Sequence, residues 1–154
     1  MIGALILNIM LAAEHPGLEI LVVDISRDDS TAIMSEITAW QDEYAKLPAG
    51  SKPNEPVALA HKVYNRGDTA ILYLMACLRQ AAFDRQSGLA TARHLPRASV
   101  LWALSGSTIA RNLGVLGEDN DAEEAVWMAF WSVNYKKFLI NHQPITEYWD
   151  PFFK

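Results

Sequence analysis

Four side chains able to grip an anion fall within thirteen residues: Arg85, Arg93, His94 and Arg97, in the stretch FDRQSGLATARHLPRA at 83–98. A guanidinium binds phosphate or carboxylate through two parallel N–H groups, and Arg97 stands just inside an expected helix start, where exposed backbone N–H groups add to the attraction. The pattern therefore reads as an anion-binding or acidic-partner loop. A competing reading pairs the same arginines with the acids of 118–124, since most charge clusters are solvated or internally matched. A second constellation is acidic. Asp24 closes an expected strand and Asp28 and Asp29 follow it, a position where oxygen ligands could hold magnesium. Helix capping accounts for Asp28 and Asp29 equally well.

The remaining reactive residue types lack the spacing that chemistry needs. Glu118-Asp119-Asn120-Asp121 with Glu123 and Glu124 has neither the glycine nor the closing glutamate of a calcium loop. His15, His61, His94 and His142 form no His-x-x-x-His or Glu-x-x-His pattern, and Cys77 is the sole cysteine, so no metal site is legible. Ser105, Ser107 and Thr108 have no nucleophile elbow around them. With Ala103, Gly106 and Ala110 they form a small-residue face suited to close packing. No cofactor is implied.

Aromatic residues suggest a different kind of function. Tyr148, Trp149, Phe152 and Phe153 crowd the last seven residues, enough area to anchor a partner or to cover the domain's own core. Trp127 and Trp131 lie in AVWMAFWSV (125–133), apolar around most of a helix. A helix of that kind is either central or covered by a partner. Several such helices in a small domain point to contact with another subunit, with Trp127 and Trp131 among the interface residues.

The elements that must hold these groups follow from periodicity. LEILVVDI (18–25) is short, β-branched and bounded by His15-Pro16-Gly17, so it is expected as a strand buried on both faces. The apolar stretch 1–13 fits helix or a second strand. Ile33, Ile37, Trp40, Tyr44 and Leu47 recur at spacings of four and three, one stripe of an amphipathic helix. LPAGSKPNEP (47–56) is a loop. Four helical segments come after it: one from Pro56 to about Tyr64, one over 69–86 ended by Ser87-Gly88, one from Pro96 to Leu113 closed by Gly114, and one capped by Asn120 or Asp121. The last carries acids in its first turn and Lys136 and Lys137 near its end, as the helix dipole favours. The expectation is a mainly α fold, one domain over 1–154, of five to six helices with one or two short N-terminal strands.

Composition sets the outer limits. A chain of 154 residues, 51% hydrophobic and 20% charged, can bury a core without disulfides or metals and is too apolar for disorder. A net charge of −5 argues against nucleic acid. That charge is segmented: −5 over 1–68, +4 over 69–117 and −4 over 118–154. No stretch is long enough to span a bilayer and no basic signal segment opens the chain, which makes the cytoplasm the expected location. The expected function is a non-enzymatic protein-interaction module, a homo-oligomeric accessory, adaptor or inhibitor protein of bacterial or phage origin. The alternative is a small metal-assisted hydrolase of a phosphorylated or nucleotide substrate, with Asp24, Asp28 and Asp29 on the metal and Arg93 and Arg97 on the phosphate.

Overall fold

The protein is described by a computed structural model, which covers residues 19–47, 58–88 and 94–146. The stretch 1–13, the proline-rich loop, Arg93 and the aromatic tail residues Tyr148, Trp149, Phe152 and Phe153 lie outside the described residues. The fold is mainly α. A short strand β1 (Val23–Ile25) leads into helix α1 (Arg27–Ala45), followed by α2 (Ala58–Asn65) and a 3-10 turn (Gly67–Ala70). Then come α3 (Ile71–Ser87), α4 (Arg97–Leu104), α5 (Thr108–Leu113) and α6 (Asp121–Asn134). A second 3-10 turn (Tyr135–Lys137) delivers the chain to β2 (Phe138–Ile140) and β3 (Gln143–Pro144). No helix of the described residues is long and apolar enough to cross a membrane.

Local chemistry fixes the helix ends. Ser26 caps α1 by accepting a hydrogen bond from Asp29 N at 3.1 Å. The expected caps Asp28 and Asp29 stand instead in the first turn, where their charge meets the dipole. Asn120 caps α6 through a 2.7 Å bond from Glu123 N. Gly88 and Gly114 end α3 and α5 with φ of 66° and 74°, the left-handed closure that glycine adopts without Cβ strain. The segment expected as one helix from Pro96 to Leu113 is two. Ser107 Oγ donates to Leu104 O at 2.8 Å and accepts from Ala110 N at 3.0 Å, so one side chain closes α4 and opens α5. Gly106 is needed beside that break, because a Cβ there would stand 2.5 Å from the backbone oxygen of Tyr64. The small-residue face thus serves the approach of α2.

Helix α3 occupies the centre. Every residue from Ile71 to Leu78 is buried, which explains why no polar stripe interrupts that stretch. The stripe of α1 packs inward through Ile33, Ile37 and Trp40. Trp127, Phe130, Trp131 and Phe138 form a further wall of the core, with Trp127 edge-on to Phe130 and Phe130 edge-on to Phe138. The expectation that Trp127 and Trp131 face a partner is corrected by this packing: Trp127 has no exposed surface. A single copy of the domain conceals far more of its apolar helix surface than the composition suggests.

The sheet joins the two ends of the described chain. β1 and β2 pair in parallel, with Val23 opposite Phe138 and Ile25 opposite Ile140, and β3 returns antiparallel with Ile140 opposite Gln143. β1 is a terminal strand of this three-stranded sheet. It is also shorter than the expected 18–25. Ile25 is buried but Asp24, Leu21 and Val22 are exposed, so the strand has one buried face rather than two.

Candidate functional site

Arg85, His94 and Arg97, the described members of the basic cluster, meet the chain's own carboxylates. Arg97, first residue of α4, donates through Nε to Asp119 and through Nη1 to Asp121, each at 2.5 Å, with Glu124 3.6 Å away. Arg85 near the end of α3 donates to both oxygens of Glu124 at 2.6 and 2.7 Å. His94 Nδ1 meets Asp84 Oδ2 at 2.8 Å, and Gln80 donates to the other oxygen of Asp84. Arg79, also of the basic block, lies over the Trp131 ring. Burial would favour a neutral Arg97, yet the bonds to Asp121 and Asp119 outweigh it and hold the guanidinium firmly charged. In return Arg97 holds the Asp121 carboxyl below the ordinary carboxylate range. Arg85 and Arg97 of the basic block thus match carboxylates of the acidic block that follows, tying the end of α3 and the start of α4 to the start of α6.

The acidic residues near β1 separate in the same way. Asp29 faces Arg66 at 3.7 Å, while Arg66 forks onto Glu36 at 3.1 and 2.8 Å. Asp24 turns to His142. Among the described residues no group of three His, Cys, Asp or Glu side chains gathers to hold a metal ion, so Asp24, Asp28 and Asp29 do not converge. Glu123, read from sequence as dipole chemistry, does more: its buried carboxylate accepts from Leu116 N at 2.9 Å and Gly117 N at 3.0 Å, fixing the turn before α6.

His142 is the residue that sequence reasoning passed over. Ile140 and Gln143 are paired, leaving Asn141 and His142 as a two-residue turn with φ of 50° and 69°. Positive φ at both positions is the I′ pattern, whose second position is ordinarily glycine. A histidine there costs about 1–2 kcal/mol of backbone strain. Asp24 holds it in place twice. Its Oδ1 accepts from His142 N at 3.0 Å, and its Oδ2 meets the ring at Nδ1. Asp24 is the middle residue of β1 and His142 lies in the turn that leaves β2, and the His142 side chain is 84% exposed. The available signal was Asn-His directly after the β-forming run Phe-Leu-Ile.

No family model, curated protein or solved structure matches the chain.

Exposed apolar side chains complete the described surface. Leu21 is 90% and Val22 60% exposed, consecutive residues at the entry to the terminal strand; Phe83, Leu116 and Val133 are exposed singly. Scattered apolar residues are normal on a surface, whereas adjoining ones are not explained by packing. The Leu21–Val22 segment is held from behind, because Asn134 Oδ1 accepts from Ile20 N at 3.0 Å and Lys137 Nζ donates to Ile20 O at 2.8 Å. Its two large side chains are thus presented on a fixed backbone.

Proposed function

We propose that the chain is a protein-interaction module, a cytoplasmic homo-oligomeric accessory, adaptor or inhibitor protein, that associates through the sheet end at Leu21 and Val22. The observation that carries this reading is the adjacency of those two exposed side chains on a backbone anchored by Asn134 and Lys137. A preordered apolar pair loses little entropy on docking, which is what turns exposed area into affinity. Three of the arginines lend support: Arg66, Arg85 and Arg97 are matched internally, so none of the three is left over to recruit an acidic partner. A buried thiol at Cys77 suits a reducing compartment.

Size-exclusion chromatography with light scattering tests the reading. The wild type is expected at a multiple of the 17.2 kDa chain mass. Leu21→Asp with Val22→Asp should return it to a single chain with an unchanged circular-dichroism spectrum. A wild type that runs as one chain overturns the proposal, and so does a double variant that still associates.

A further inference from the structure

The Asp24–His142 pair carries a chemistry that an interaction surface does not call for. Asp24 Oδ2 meets the ring at Nδ1, so the Nδ1 proton is held against a carboxylate and the lone pair resides on Nε2. The ring is open to solvent, and the backbone bond from His142 N to the same carboxylate fixes its position. The protein contains a second such pair, His94 with Asp84, but there the histidine side chain is only 24% exposed and has a further partner. His61, also exposed, rests edge-on against Trp102 and has no ion-pair partner among the described residues. His142 alone among these three combines a carboxylate on Nδ1 with an accessible Nε2.

We propose that His142 is a phosphoryl-acceptor residue, taking a phosphoryl group on Nε2 from a small activated donor such as an acyl phosphate. The lone pair of Nε2 forms the new N–P bond. The P–O bond to the acyl group breaks, and the carboxylate leaves with its electron pair. The Nδ1 proton stays against Asp24, whose charge offsets that left on the ring. Exposure decides between this and the other chemistries open to a histidine–aspartate pair. Acid–base catalysis needs a substrate held against the ring, for which a side chain 84% exposed has little surrounding surface, and an acylated imidazole is quickly lost to water. A phosphorylated imidazole survives in it far longer, so a ring standing in solvent can store a phosphoryl group. Asp24 is a positioning residue in this scheme. The inference stands independently of the association through Leu21 and Val22.

The test uses the full chain with phosphoramidate, whose P–N bond breaks to release ammonia, and follows labelling by phosphorus NMR and by peptide mass spectrometry in alkali. His142 is expected to be labelled faster than His15, His61 or His94. Asp24→Asn keeps Oδ1 to accept the backbone N–H but offers an amide to the ring, so labelling of His142 should slow about tenfold or more. Nitrogen NMR should then show the neutral ring losing its preference for a proton on Nδ1. His61→Ala should leave the rate at His142 unchanged. Labelling of another histidine at an equal or greater rate, a wild-type rate in Asp24→Asn, or no labelling of His142 would each overturn the assignment.

Discussion

Arg97 illustrates how burial and pairing oppose each other at one side chain. Desolvation disfavours its charge, and two short carboxylate bonds more than restore it. Arg97→Ala therefore leaves Asp119, Asp121 and Glu124 facing one another with Arg85 alone nearby, and should cost about 2 kcal/mol, seen as a fall of roughly 4–8 °C in Tm. The partner effect has a definite pH window. The folded Asp121 carboxyl sits below its unfolded value, so its contribution is present above the ordinary carboxylate range and is lost as the pH falls through it. The Tm difference between wild type and Asp121→Asn should be constant above about pH 5 and shrink as the pH falls below about 4. Tyr73 behaves in the opposite sense. Burial raises its hydroxyl against the smaller effect of its bond to Ser30, so stability present below the ordinary tyrosine range is lost as the pH climbs past about 10. Thermal melts of Tyr73→Phe should lack that alkaline loss.

At the scale of elements, two glycines separate conformational strain from collision. Gly88 has φ of 66° and open space around it, so Gly88→Ala should cost only the left-handed penalty, about 1 kcal/mol. Gly106 would drive a Cβ into the backbone and ring of Tyr64, which the α2–α4 contact cannot yield cheaply. Gly106→Ala should cost about 2–3 kcal/mol by denaturant melts; equal losses in the two variants would contradict the assignment of Gly106 to close packing. Elements were legible in the sequence to the extent that their signals are local. The stripe from Ile33 to Tyr44, the acids opening α6 and the glycine ending α3 all reside within a few residues. The Ser107 break within 96–113 was hidden, because serine reads as a tolerated helix residue until its hydroxyl is seen bonding both ways. β2 and β3 were equally hidden. A three-residue strand means little without its partner, and Phe138 finds that partner at Val23, far away in sequence. The Asp24–His142 contact depends on the same non-local pairing, and so escaped with it.

At the scale of the whole molecule, the amount of apolar side chain misleads and its placement informs. Trp127, apolar on an apolar helix, is spent within the domain's own core. Trp127→Ala should cost about 3–5 kcal/mol while leaving the solution mass of the folded fraction unchanged, whereas an interface tryptophan would alter the mass. The segmentation of charge likewise reports an internal match at Arg85 and Arg97, which reach across to Glu124, Asp119 and Asp121. Among the described residues, the adjoining apolar side chains left exposed are Leu21 and Val22, just before β1, and these are the surface proposed for association. Hydrogen–deuterium exchange measured at low and high protein concentration tests that claim most directly. Slower exchange of residues 19–25 in the concentrated sample, with the helices α1 to α6 unaffected, is the predicted result. Exchange in that segment that is indifferent to concentration would contradict the account.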